Sequence, residues 1–315
     1  SQLERALHSP HTTTQEAGEG GSADLSILTA AAAQLFQSTV MLDDAAVNSL
    51  LGALRDVSAK AARSMVGNGL QPGTPGQPPA RLFALSRLVD VVLHNVNRMR
   101  ALWELMEEHL MEVVVHENAQ VRAAALEALD RAVCGGMAVC RQIEMDPSEQ
   151  PFELTVLAPL DKLSSSEHED VRQGCLRITN HMLQRSGEYL SIGWRQIIQL
   201  LTRTAGAHDQ NVLVAQGFQS AQLMANDYLH IIPEDTLGLC VHMVAAFGAQ
   251  KTDMNISLTA IGLMWNMADF FGRTINSLMK REPSSSEGGK ADETKSAEEL
   301  IVLEKEGAKD LEKAG

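Results

Sequence analysis

Aromatic side chains are scarce in this sequence, with Phe, Trp and Tyr making up 4% of 315 residues. Strands draw on aromatic and β-branched residues, so this poverty argues against a sheet-based core. Cysteine is scarce as well. Cys134, Cys140, Cys175 and Cys240 form no Cys-x-x-Cys pair, and three of them sit within helical apolar patterns, where a free Cys behaves as a small hydrophobe, so they read as a reducing, cytosolic compartment with no disulfide framework. No apolar run reaches the roughly 18 residues that a membrane span needs. Residues 254–268 lack charge, but the stretch is short and carries Asn and Ser. No secretory signal pattern is visible at Ser1, and little rests on that in a chain without an initial Met. Positive charge is in deficit, with 26 Lys and Arg against 40 Asp and Glu, a net charge of −14. That balance argues against general nucleic-acid binding, which needs cations to displace phosphate counterions, and against unaided docking on anionic lipid.

Catalytic signatures are also missing. The sequence has no Gly-x-x-x-x-Gly-Lys-Ser/Thr loop, no Gly-x-Ser-x-Gly elbow, no His-Glu-x-x-His helix and no kinase motif set. Gly67 and Gly69 stand in a Pro/Gly stretch with no strand before them, so they do not read as a dinucleotide-binding turn.

What the sequence has in quantity is Leu, Ala and Met, good helix formers, spaced at three and four residues. Residues 1–24, rich in Thr, Ser, Gly and Glu, read as a disordered lead-in. Residues 25–66 read as a helical pair, with Asp43 and Asp44 in N-cap position for the second helix. Four prolines and four glycines in residues 66–80 make 67–80 a loop. Residues 81–273 are helix-patterned almost throughout. Leu82, Leu85, Leu88, Val89 and Val92 form one stripe, and Leu102, Leu105, Met106, Leu110 and Val113 the next. Residues 274–315 read as an acidic low-complexity tail with a short charged helix; residues 282–315 hold ten acids and five bases.

Four polar breaks in the helical region resemble one another. Val121 follows His-Glu-Asn-Ala-Gln, Val171 follows an acidic turn, Val212 follows Asp-Gln-Asn, and Ile256 follows Asp-Met-Asn. The spacings are 171 − 121 = 50, 212 − 171 = 41 and 256 − 212 = 44. These lie around the period of HEAT and armadillo repeats, about 40–47 residues. The expected fold is therefore all-α: a HEAT/armadillo-like α-solenoid of antiparallel helix pairs with disordered termini. In such an array each turn caps the second helix with an Asp or Asn side chain, and neighbouring pairs stack to bury what one pair leaves open.

Several residues invite a sharper reading. His109, Glu112 and His116 lie at i, i+3 and i+7, the spacing of ligands on one helix face. With no partner motif, they read instead as an exposed polar face. Glu167, His168, Glu169 and Asp170 read as a helix-capping turn, because a calcium loop would require a longer pattern with glycine. Trp103, Trp194 and Trp265 sit on apolar stripes and read first as core or inter-repeat packing, with a partner-binding hot spot as the other reading. Asn95, Asn97 and Arg98 have two readings of equal weight: a solvated turn, or a pairing of Arg98 or Arg100 with an acid such as Glu104 or Glu107. No catalytic, cofactor-binding or metal site is assigned.

The segment that holds Phe83, Leu85, Leu88, Val89, Asn95, Arg98, Met99 and Trp103 resembles the region following the Sec-seven domain of large Arf guanine-nucleotide exchange factors. HLMEVVVHENAQVRAAALEAL, GFQSAQLMANDYLHIIP and MNISLTAIGLMWNMADFF resemble the Mon-two family, which is similar to those factors but lacks the catalytic Sec-seven domain. The resemblance spans residues 40–273. It implies a non-catalytic scaffold in vesicle-mediated protein transport, held peripherally and indirectly on Golgi, trans-Golgi and endosomal membranes. It also implies Dopey-like proteins and Arf-like GTPases as partners. Two other readings stand beside it: a regulatory segment of an Arf exchange factor, and an unrelated HEAT adaptor.

Overall fold

Asp43 starts the first fully described α-helix of a computed structural model that describes residues 31, 34–65, 82–140, 151–207 and 210–279. Its carboxylate accepts a hydrogen bond from the Ala46 N–H at 2.7 Å, satisfying one of the free donors at the start of α1, Asp44–Ser64. The expected lead-in at residues 1–24, the Pro/Gly loop at 67–80 and most of the acidic tail lie outside the described residues. Nine further α-helices follow among the described residues: α2 Phe83–His94, α3 Met99–Val114, α4 Ala119–Val139, α5 Phe152–Ser164, α6 Glu169–Ser186, α7 Trp194–Ala205, α8 Asn211–Leu223, α9 Glu234–Ala249 and α10 Met254–Met279. No strand occurs among these residues, and no helix is long and apolar enough to cross a membrane.

Most consecutive helices pack as hairpins, and each of α1 to α7 also packs on the helix two places along. The even-numbered α2, α4, α6 and α8 thereby form one layer, and the odd-numbered α1, α3, α5, α7 and α9 form the other. This is the stacked-pair architecture of an α-solenoid. A helix with a hairpin partner and neighbours on both sides buries a wide arc. In α3, Met99, Leu102, Trp103, Met106, His109, Leu110, Val113 and Val114 are all buried. The residues from Ala268 on belong to a second unit. Its described residues carry an Arg273–Asp269 ion pair of 2.6 Å along the helix.

The repeat register differs from the expected one at a single place. Val121 and Val171 are fully buried at the third position of α4 and α6, and Ile256 is buried in α10, but Val212 is 51% exposed. Leu213 takes the buried place in α8. The corrected spacings are 213 − 171 = 42 and 256 − 213 = 43. The local run Val-Leu-Val supplies three apolar candidates, and only the position of the turn decides which of them faces inward. Capping also divides the repeats. Asn118 accepts from the Gln120 N–H and Asp253 from the Asn255 N–H, both at 2.8 Å, while His168 and Gln210 give no side-chain cap.

The Asn95–Arg98 turn is a clasp. Asn95 Nδ2 donates to Thr39 Oγ1 at 2.9 Å and to the Val91 carbonyl at 2.7 Å. Arg98 donates to Asp44 Oδ1 at 2.6 Å and to the carbonyls of Leu42 at 2.7 Å and Val40 at 3.1 Å. The expected pairing of Arg98 therefore exists, but it runs back to Asp44 and not forward to Glu104 or Glu107. Arg98→Ala leaves two turn carbonyls and one carboxylate without their donor. The expected cost is about 1–2 kcal/mol, with faster amide exchange in residues 39–47. A urea midpoint equal to that of the parent chain, with unchanged exchange, would contradict it.

Candidate interaction surfaces and a polar cluster between helices

Of the three residues spaced like metal ligands, the structure keeps Glu112 beside His109 and sets His116 apart. His109 is 1% exposed, which corrects the expected exposed face, while Glu112 is exposed. His116 lies beyond the end of α3, where its Nδ1 accepts from the Asn118 N–H at 3.0 Å. His109 is inward because the buried arc of α3 is wider than one stripe, and the charged neighbours it senses are Glu112, Arg55 and Asp56. Its ring nitrogens make no hydrogen bond, and Glu112 Oε2 stands 3.7 Å from Nδ1. Burial holds its pKa below the ordinary histidine value, outweighing the opposite pull of Glu112.

A depressed histidine pKa makes stability depend on pH in one direction. The contribution is complete above the unfolded-state value of about 6.5 and is lost as pH falls from there toward the folded value. His109→Leu should flatten the melting temperature between about pH 7.5 and 5.5, because the variant has no imidazole to charge on unfolding. Equal slopes in parent and variant would remove His109 as the source.

The acidic turn at Glu167–Asp170 acts by charge and not by a side-chain cap. Glu169 and Asp170 occupy the first turn of α6, the favourable end of its dipole. Asp170 also receives Arg122 from the preceding repeat at 2.9 Å. Of the tryptophans, Trp103 and Trp194 are buried, but Trp265 is 75% exposed, which corrects its expected packing role. All four cysteines are free. Burial, with help from Asp130 at Cys134, pushes the thiols of Cys134 and Cys175 up to about 12 and that of Cys240 to about 11. These shifts run opposite to what an activated nucleophile requires.

Two kinds of polar tie link successive repeats. At the turns, Arg122 donates to the carbonyls of His116 and Glu117, both at 2.8 Å, and reaches forward to Asp170. Arg172 repeats this with Ser166 at 2.6 Å and Glu167 at 3.0 Å, and reaches forward to Gln210 Oε1 at 3.4 Å. Along the even layer, Arg131 of α4 bonds Ser86 and Asp90 of α2. His181 of α6 meets Asp130 of α4 at 2.8 Å, and Asn180 of α6 donates to Ser220 of α8 at 3.2 Å. Sequence reasoning missed these rungs. With Val121 and Val171 aligned, Asp130 and Asn180 fall on one repeat position and Arg131 and His181 on the next, so the repeat register was the signal that contained them.

Three open surfaces stand out among the described residues. A cleft of about 440 Å³ on the even layer is lined by Asp130, Asn180, His181, Gln184, Gln216 and Gln219, among others. An odd-layer cleft of about 870 Å³ carries Glu104, Glu107, Glu108 and Glu112 beside Arg100 and Lys162, and Lys162 pairs with Glu107 at 3.1 Å. On α10, Met254, Leu258, Ile261 and Trp265 recur at helical spacing and are all exposed, while Ile256, Ala260, Leu263 and Met267 are buried on another face.

A two-layered helical array with open polar clefts defines the class of α-solenoid interaction proteins. Residues 226–308 match the family described as the C-terminal region of Mon2 protein, and residues 145–223 match the one described as Mon2/Sec7/BIG1-like, HDS. The chain is 35% identical over 260 residues to the Drosophila melanogaster Mon2 homolog, covering 82% of this chain and 15% of that protein. It is 30% identical over 286 residues to the Homo sapiens Mon2 homolog, covering 90% of this chain and 16% of that one. Brefeldin A-inhibited guanine nucleotide-exchange protein 3 of Arabidopsis thaliana is 23% identical over 273 residues, 82% of this chain and 14% of its own length. The chain belongs to the Mon2 family on these matches, and it spans about one sixth of the length of those Mon2 relatives.

Proposed function

We propose that this chain serves as a non-catalytic scaffold in vesicle-mediated protein transport, held on Golgi, trans-Golgi and endosomal membranes through other proteins. The observation that carries this reading is the similarity to Mon2 homologs over most of the chain. Physical chemistry supports a binding role: the helices are tied to one another by buried contacts, while the clefts on both layers offer carboxylates, amides and a few cations to partners. The net charge of −14 favours basic or neutral protein surfaces over phosphate-rich ones. Dopey-like proteins and Arf-like GTPases are the partner classes that the family resemblance implies.

A second reading, a regulatory segment of an Arf exchange factor, is favoured by the 145–223 match and the similarity to the Arabidopsis exchange proteins. Proximity labelling on the intact cellular protein that contains this segment tests both. Golgi and endosomal partners that disappear when residues 81–273 are deleted are the expected result. Partners confined to nuclear or phosphatase complexes would overturn the transport role. Nucleotide exchange on an Arf GTPase by the intact protein would replace the scaffold reading with the second one.

A further inference from the structure

Among the polar ties of the even layer, one has a composition the others lack. Asp130 and Cys134 stand one turn apart on α4, and His181 reaches them from α6. Their donor atoms all lie within 4.8 Å of one another. Cys134 Sγ is 3.6 Å from Asp130 Oδ1, and His181 Nδ1 is 3.0 Å from Oδ1 and 2.8 Å from Oδ2. A hydrogen-bonded rung needs only the histidine and the carboxylate; the Asn180–Ser220 and Arg131–Asp90 rungs have no thiol in the corresponding place.

We propose that Asp130, Cys134 and His181 form a zinc site whose fourth position opens on the neighbouring cleft. Zinc binds thiolate at about 2.3 Å, imidazole at about 2.0–2.1 Å and carboxylate at about 2.0–2.2 Å. At tetrahedral angles these lengths place the donors roughly 3.4–3.6 Å apart. The sulfur–oxygen separation already has that value, the imidazole and carboxylate need to part by about half an ångström, and the sulfur and imidazole nitrogen, within 4.8 Å of one another, need to close by at most about 1.3 Å. The mixed set of soft sulfur, imidazole nitrogen and carboxylate oxygen suits Zn²⁺ better than Mg²⁺ or Ca²⁺, which take oxygen ligands. One aspartate and one thiolate neutralise the divalent ion, while the imidazole stays neutral. Binding breaks the S–H bond of Cys134 and forms the Zn–S bond, and the proton leaves to solvent, so affinity falls as pH falls.

The surroundings are those of an open site. Asp130 and His181 line the cleft of about 440 Å³, which gives the ion an entry path and room for a water on the fourth position. Gln216 lines the same cleft, and its amide oxygen is buried and makes no hydrogen bond, so it is an acceptor for a metal-bound water. Because the ligands come from α4 and α6, the ion fastens two repeats together and leaves one coordination position for a carboxylate, imidazole or thiolate of a partner. The site stands independently of the transport role.

The test is calorimetric titration of the full chain, reduced and metal-free, with Zn²⁺, repeated with Co²⁺ under absorption spectroscopy. One Zn²⁺ per chain is expected, together with a thiolate-to-cobalt charge-transfer band. Cys134→Ser should abolish the band, and His181→Ala should weaken Zn²⁺ binding by at least about 100-fold. His181 has a half-exposed side chain, so its alanine variant keeps the test valid even where the buried Cys134→Ser fails to fold. Absence of binding, or binding and a band that persist in either variant, overturns the proposal.

Discussion

Trp103→Ala is expected to lower the unfolding free energy of this chain by about 3–5 kcal/mol, as large-to-small changes of a buried tryptophan do. Trp103 is 1% exposed. Its ring meets Phe152 of α5 edge-on, with centroids 5.3 Å apart and planes at 84°. It also fills the place a side chain on α4 would take, since a Cβ on Gly136 would stand 2.8 Å from the ring. One side chain of α3 thus fixes its spacing to both α4 and α5, and its loss empties a volume that three helices share. Trp103→Phe separates size from polarity. The indole N–H has no hydrogen-bond partner, so phenylalanine removes an unsatisfied donor while leaving a smaller void, and the expected cost is about 1–2 kcal/mol. Gly136→Ala should destabilise the parent chain and cost less in the Trp103→Ala chain, where the ring no longer obstructs it and only Val156, 3.1 Å from the added Cβ, has to give. Urea denaturation of the four variants measures this. A loss below about 1 kcal/mol in Trp103→Ala would mean that the helices close over the void.

Glu153→Ala is the second large effect, about 2–4 kcal/mol, and it arises from hydrogen bonding. Glu153 is a buried acid in the first turn of α5. Its Oε1 accepts from the Ser191 N–H at 2.9 Å and the Gly193 N–H at 2.7 Å, and Oε2 accepts from the Ser191 hydroxyl at 2.6 Å. The carboxylate therefore serves the entry to α7 as a cap supplied from the helix two places back. Alanine leaves the buried Gly193 N–H without an acceptor, whereas Ser191 is exposed and can turn to water. Glu153→Gln keeps one oxygen for the two N–H groups and presents an amide that can donate to the hydroxyl, so its expected cost is below about 1 kcal/mol. Equal melting losses in the two variants would show that charge, not acceptor geometry, carries the contact.

The particular residues show what a linear reading can reach. The helical class, the Asp43 cap, and the buried Val121 and Val171 follow from spacing and turn chemistry, both local properties. The register of α8 was one residue off because Val212, Leu213 and Val214 are equally apolar. The spacing around His109 points outward because its own helix cannot reveal how many neighbours cover it. The spacing around Trp265 points inward because a helix with two apolar faces looks the same whether one or both are covered. Glu153, Asp130 and His181 gain their roles from residues 38 to 51 positions away. Arg98 had two plausible directions for its pairing, and only the position of the 38–41 turn selects Asp44.

The forward-reaching arginines make this array unevenly reinforced against load. Tension between the turns before α4 and α6 is resisted by Arg122 on Asp170, and between those before α6 and α8 by Arg172 on Gln210. At the corresponding position α8 carries Val214, and the turn before α10 is closed on itself by Gln250, which binds Thr252, Asp253 and Ser257. Among the described residues, no such tie crosses that last step. In a stack whose stability is a sum of neighbour terms, a pulling force parts the array there first. The turn before α10 is thus the step that gives way first, while α9 stays held to α7 by Arg195 on Asp235 at 3.5 Å, a mechanical fuse placed at the last helix of the stack.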